Sequence, residues 1–280
     1  MAYLSVHANR LAIATLSRRR TVIGLAHQRQ GYPSPTEDPA VREVWAGIRR
    51  STPARGKAKT ALWTSDLARL LAAIPCDGAI DEPGVLLGIR DRALLLLGYA
   101  GALRRSELAA LDLEDVRDDP RGLIVLIRTS KTDQEGAGGE VGIPFASQPE
   151  LCPVHAVDRW RDALRQRLGI LEEHFDGALF RPIDRHGRVG APRAGNGAAS
   201  QLTPAAVRLI VKRRCAAAGI DPKDYAAHSL RSGFATQASA NGAAERDVMR
   251  HGRWRSVTVA RGYVQRGTLF TDNAAGRLGL

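Results

Sequence analysis

The chain has 280 residues, 44% of them apolar, and its 41 Lys and Arg against 29 Asp and Glu give a net charge of +12. That length allows two domains and a substantial core; with no eighteen-residue apolar run no membrane helix is expected, and the start MAYLSVHANR lacks the charged-then-apolar pattern of a signal peptide. Cys76, Cys152 and Cys215 form neither a C-x-x-C zinc pattern nor an even disulfide set, so a reducing cytoplasm is the expected compartment.

The charge is segregated along the chain. Residues 1–60 carry eleven basic and three acidic side chains, residues 201–280 carry thirteen and five, and the middle is net acidic. Two basic ends around an acidic middle point to one polyanion, with nucleic acid the expected one.

Residues 14–28, ATLSRRRTVIGLAHQ, read as a helix with Leu16, Ile23 and Ala26 toward a core. Arg18, Arg19 and Arg20 then stay wet, with at least one turned toward DNA. A loop over 31–39 leads to Asp38 as a cap and Pro39 in a first helical turn, where Val41, Val44, Trp45 and Ile48 make an amphipathic stripe. STPARGKAKT, residues 51–60, reads as a basic linker in which Lys57 and Lys59 could cross a DNA backbone. Thr64 is expected to cap a helix running to Ile74. The Leu-rich run of 85–100 predicts a buried core helix that stops at Gly101, and another helix starts near Arg104.

GLIVLIR and EVGIP predict two hairpin strands around a glycine-rich turn, with Lys131 near its mobile end. The acidic run Asp112, Glu114, Asp115, Asp118 and Asp119 reads as a solvated helix end and loop. Residues 153–168 form a helix with Val157, Trp160, Leu164 and Leu168 on one side. Residues 177–201 are loop, with a short strand at Ala178–Arg181. Thr203 and Pro204 open a helix to about Ala218 that presents Arg208, Lys212, Arg213 and Arg214. Val257, Val259 and Val264 predict a packed helix with Tyr263 near its end, and the tail from Leu269 to Leu278 has the pattern of a short helix built to dock.

The chemistry concentrates in AHSLRSGFATQASANGAAERDVMRHGRWRSVTVARGYVQ, residues 227–265. His228 and Arg231, three apart, share a helix face. Arginine presents a planar fork of donors that matches a phosphate, histidine moves protons near neutral pH, and tyrosine is a nucleophile once its proton is taken. Tryptophan adds one N–H donor and an apolar wall. Alone, an H-x-x-R pair is usually structural. Arg104 and Glu107 at i, i+3 in GYAGALRRSELAALDLEDV, and Lys131 in IRTSKTDQEGAGGEVGIP, extend the set.

With these segments in view the chain resembles the tyrosine recombinase (phage integrase) family over roughly residues 35–270. Arg104, Lys131, His228, Arg231, Trp254 and Tyr263 fall in order on that family's catalytic positions. Its nine-residue spacing before the tyrosine selects Trp254 over His251, and Tyr263 over Tyr3, Tyr32, Tyr99 and Tyr225. The resemblance implies a mainly α fold with a small β-sheet (α+β). Residues 1–52 would form a small, shortened helical core-binding domain on DNA, 53–61 a linker, and 62–280 the catalytic domain with its docking tail.

It further implies site-specific cleavage and rejoining of duplex DNA through a 3′-phosphotyrosyl bond, by a homo-oligomer, a tetramer on paired sites, with no membrane partner. Arg104 and Arg231 would clamp the phosphate and Tyr263 would attack. His228 would take its proton, Lys131 would protonate the leaving oxygen, Trp254 would donate to the phosphate, and Glu107 would orient the cations. No cofactor and no metal ligand are expected, and no P-loop motif occurs. Arg18, Arg19, Arg20, Lys57, Lys59, Lys212 and Arg213 are the expected DNA contacts. Three other readings stand beside this one: a type IB topoisomerase-like nicking-closing enzyme, a metal-dependent nuclease using the acidic run, and a family member that binds DNA but is inactive because its N-terminal domain is truncated.

Overall fold

A computed structural model describes residues 2–51, 59–128, 138–169, 175–184, 186–190, 201–271 and 273–278. The chain divides into two compact units, Met1–Ala58 and Lys59–Leu280.

The first unit holds helices α1 (Ala2–His7), α2 (Ile13–Arg29) and α3 (Pro39–Ser51). Asp38 starts α3 by accepting the Ala40 amide at 2.8 Å and the Val41 amide at 3.3 Å, as its place before a proline predicts. Leu4, Leu16, Trp45 and Ile48 form the small core. The α2 face is rotated from the expected one: Gly24 is buried and Ala26 is exposed. Arg20 is not wet but lies over the Trp45 ring at 5.2 Å, a cation–π contact that a charge count cannot foresee.

The second unit is built on α5 (Pro83–Ala100). Its Leu94, Leu95, Leu96 and Leu97 are all buried, because α7 (Pro153–Leu168) and α9 (His228–Ala240) pack against it and the leucines of α4 (Thr64–Ala72) join the same core. Arg90 and Asp91 of α5 are buried too. Asp91 takes Arg90 on one oxygen at 2.6 Å and Arg214 of α8 (Pro204–Ala217) on the other at 2.8 Å, so this charge pins α5 to α8. On α7, Trp160 is fully buried and donates its indole N–H to the Leu179 carbonyl at 2.8 Å.

Short α6 (Arg105–Ala110) is followed by a 3₁₀ turn and a three-stranded antiparallel sheet, β1 (Val116–Asp119), β2 (Gly122–Ile127) and β3 (Gly139–Pro144). Val125 faces Val116 on one side and Val141 on the other. Strand β1 corrects the expectation of a solvated acidic loop. Val116 is buried and sets the register, while Arg128 bonds to Asp112, Glu114 and Asp115, Arg161 to Asp118, and Arg121 to Asp119. Residues 178–181 make only an isolated bridge from Ala178 to Asp112, not a strand.

Thr64 is not a cap. It occupies the first turn of α4, where Trp63 offers its amide to Asp66, and its hydroxyl meets that of Tyr99 at 3.1 Å. Thr203 does cap α8, accepting from the Ala206 amide at 3.1 Å. Helices α10 (Glu245–Gly252) and α11 (Val257–Gly267) complete the unit, with α11 packed along α9. Val257 and Val259 are exposed, against expectation; Ala260 is the buried residue of α11. Among the described residues no helix is long and apolar enough to cross a membrane.

Two glycines show how closely α9 is held. A Cβ on Gly233 would lie 2.1 Å from the Leu62 carbonyl oxygen, because the chain entering α4 runs along α9 and bonds to it from the Leu62 amide to the Ser229 carbonyl. At Gly262 on α11 a Cβ would meet nothing within 4 Å. Gly233→Ala is therefore expected to lower stability by about 1–3 kcal/mol through overpacking. Gly262→Ala should raise it by roughly 0.5–1 kcal/mol through helix propensity. Denaturant unfolding of both variants checks the pair; equal effects would refute this packing.

Candidate active site

Helix α5 ends where the site begins. Its last turn passes through Gly101 to Ala102, which holds a positive φ of 47°. That turn aims carbonyl oxygens into the unit. Arg231, one turn into α9 and 2% exposed, donates to the Ala102 carbonyl. Arg104 then starts α6. Its amide donates to Glu107 Oε2 at 2.9 Å and its guanidinium to Oε1 at 2.5 Å, so the i, i+3 spacing closes a small loop around a buried carboxylate.

The indole of Trp254 lies 4.0 Å from the Arg231 guanidinium, ring centre to Cζ, and 5.9 Å from the Tyr263 ring. Gly252 permits this placement, since a Cβ there would fall 1.6 Å from the indole. Tyr263, in the middle of α11, brings its hydroxyl to 2.8 Å from His228 Nε2 at the start of α9. Five expected site residues and Glu107 thus come together. Lys131 lies outside the described residues.

The electrostatics are those of cations gathered around one buried carboxylate. Burial alone would raise the Glu107 carboxyl, yet the Arg104 amide, the Arg104 guanidinium and Arg253 outweigh it and hold the group below the ordinary carboxylate range. Burial and the neighbouring Arg104 push Arg231 down to about 9, so its charge is retained at neutral pH but is costly. Its Nη2 is buried without a protein acceptor. Burial, Arg231 and Arg104 lower His228, which keeps the imidazole neutral and able to accept a proton at Nε2. Burial raises Tyr263 against the pull of Arg231 and Arg266, so the phenol needs a base, and His228 is in bonding reach.

The other tyrosines are engaged or remote from a base: Tyr99 with Thr64, Tyr225 with Asp66, and Tyr3 with Arg19. His251 Nε2 donates to the Ala100 carbonyl at the α5 end at 2.7 Å, and the ring stacks on Phe234 at 4.5 Å. With a carbonyl as partner, Nε2 must carry the proton, which makes it a strut between α10 and α5.

Arg253 was not foreseen. It follows α10 at a φ of 56° and reaches Glu107 Oε2 at 3.1 Å. A sequence signal existed only in the form of a third arginine beside Trp254, which reads as surface charge.

The expected DNA contacts are scattered. Arg18 and Arg19 are exposed on α2, and Arg19 donates to the Tyr3 hydroxyl at 2.7 Å. Lys59 bonds to the Lys223 carbonyl, and Arg213 leans on Asp91 at 3.6 Å while Lys212 is half-buried. Lys57 lies outside the described residues. Among the described residues no group of three or more His, Cys, Asp or Glu is placed to hold a metal.

Residues 65–268 match the phage integrase family. An integrase/recombinase XerD homolog of Selenomonas ruminantium is 37% identical over 281 residues, covering 99% of this chain and 75% of that protein. Recombinase Cre of Escherichia phage P1 is 26% identical over 273 residues, covering 94% and 73%. In fold, the chain is similar to the XerH site-specific recombinase, solved on a palindromic difH substrate after cleavage. That likeness has a TM-score of 0.64 at 18% identity and covers all of this chain and 71% of that one. The match over most of its length, together with the relative at 37% identity, places the chain plainly: it belongs to the phage integrase family of tyrosine recombinases.

Proposed function

We propose that this chain is a site-specific recombinase that cleaves and rejoins duplex DNA through a 3′-phosphotyrosyl intermediate. The observation that carries the reading is the Tyr263–His228 bond of 2.8 Å beside Arg231, a buried cation with an unused donor. A nucleophile, its base and an anion receptor are the parts phosphoryl transfer needs.

In the forward step Tyr263 Oη attacks phosphorus and its proton passes to His228 Nε2. Arg104 and Arg231 hold the non-bridging oxygens as the charge develops. The bond from phosphorus to the 5′ oxygen breaks, and Lys131 supplies that oxygen with a proton. Trp254 closes one wall and keeps Arg231 flat against it. A 5′ hydroxyl attacking the phosphotyrosine reverses the sequence and reseals a strand. None of these steps requires a metal, because the charge is met by guanidinium groups.

The first unit and the basic linker act as a small DNA-binding domain on the duplex, and the second as the catalytic domain, within the cytoplasm. Leu269, Phe270 and Leu278, all more than half exposed, support docking of the tail on a neighbouring copy, in a tetramer on paired sites.

Three outcomes are expected. Random-sequence duplexes bearing a nick, incubated with the protein in EDTA and then denatured, should yield covalent complexes whose nucleotide maps to Tyr263. Tyr263→Phe should abolish them with DNA binding retained, and Arg231→Ala should slow them by about 10²–10³-fold. Adduct on Tyr225, or a strict need for magnesium, would refute the reading.

The rate of adduct formation on the captured duplexes should be flat between about pH 7 and 8. It should fall on acidification below 6.5, the ordinary histidine value, because His228 lies lower and loses its acceptor lone pair only when protonated. An inflection above neutrality would contradict this. Affinity for duplex DNA should drop linearly in log–log form with salt, by a slope of about −0.9 per phosphate contacted. A flat dependence would remove the role given to the basic ends.

A further inference from the structure

We propose that Arg253 is a positioning residue of this site, setting Arg104 and Arg231 at once; the proposal rests on the recombinase reading above. Among the described residues only Ala102 and Arg253 take a positive φ without being glycine. The two meet: Arg253 Nη2 lies 3.4 Å from the Ala102 carbonyl oxygen. Strained backbone that persists at a site is held there by its surroundings.

What holds Arg253 is its own side chain. Nη1 donates to the His251 carbonyl at 2.9 Å, Nη2 to Glu107 Oε2 at 3.1 Å, and both reach toward the Gly101 carbonyl. These acceptors are all backbone or Glu107, so the guanidinium is directed inward rather than toward a ligand. The left-handed turn has two consequences. It points the Arg253 carbonyl at Arg104 Nη2, 3.4 Å away, and it delivers the next residue, Trp254, onto the Arg231 guanidinium. It also places a second cation on Glu107, so that Arg104 does not face that carboxylate alone. One residue thereby sets the angle of one arginine through its carbonyl and of the other through its neighbour.

The test separates placement from folding. Glycine adopts this backbone without strain, so Arg253→Gly leaves the turn accessible but removes the whole side chain, whose bonds to Glu107 and to the Gly101 and His251 carbonyls fix where the residue's carbonyl and Trp254 point. With the full chain and the nicked duplexes captured by wild-type protein, Arg253→Gly is expected to melt within a few degrees of wild type and to bind those duplexes equally well. Its single-turnover rate of adduct formation should fall tenfold or more, and Arg253→Lys, which restores a cation toward Glu107, should recover part of the loss. A rate for Arg253→Gly equal to wild type would overturn the proposal. So would a rate loss matched by equal losses of melting temperature and affinity, which would make the residue merely structural. Failure of wild-type protein to form adduct on Tyr263 is a separate result that removes the recombinase reading and this proposal with it.

Discussion

The site depends on three arginines, Arg231 buried and Arg104 and Arg253 partly so, gathered at one helix end. Arg104 and Arg253 share one carboxylate, Glu107, and Arg231 and Arg253 share the Ala102 carbonyl of a single strained turn. Backbone oxygens absorb part of this charge, as the Ala102 carbonyl does for two of the three, and we propose that a ligand with oxygens to spare meets the rest. A phosphodiester meets that description, with non-bridging oxygens for two guanidinium forks and a phosphorus open to Tyr263.

The apolar body of the unit serves this cluster. A helix as buried as α5 can present its C-terminal carbonyls rigidly because its leucines fix it on every side. The Asp91 ion pair and the absence of a side chain at Gly233 then bring α8 and α9 to close range. Helix α11 adds Tyr263, the proposed nucleophile, along α9, so that it meets His228 across the two packed helices. The His251 strut and the Arg253 turn fix where α10 hands over to α11. The chemistry is thus spread over five segments but tied to one helix end.

Much of this was legible in the residues. Spacing of three placed His228 with Arg231 and Arg104 with Glu107, since i, i+3 neighbours on a helix must share a face. The leucine run reads as a core helix, and the antiparallel β2–β3 pairing followed from the two β-rich segments GLIVLIR and EVGIP. What stayed hidden has physical reasons. Strand β1 is acidic, and its solvent face masks the one inward valine, Val116. Arg20 and Arg253 look like surface charge, yet an aromatic ring and a buried carboxylate claim them. Val257 and Val259 have the composition of a packed helix but face outward, because α11 touches α9 through Ala260 and Gly267. A strained φ at Ala102 has no sequence signature, since alanine usually marks a helix.

In the proposed reaction Arg104 and Arg231 neutralise one phosphate. The direct measurement replaces a non-bridging oxygen of the scissile phosphate by a methyl group and compares cleavage by wild type and Arg231→Ala. If the guanidinium acts by meeting charge, the variant should lose far less on the neutral methylphosphonate than on the natural phosphate. An equal loss on both substrates would contradict the account and leave Arg231 as a packing residue under Trp254.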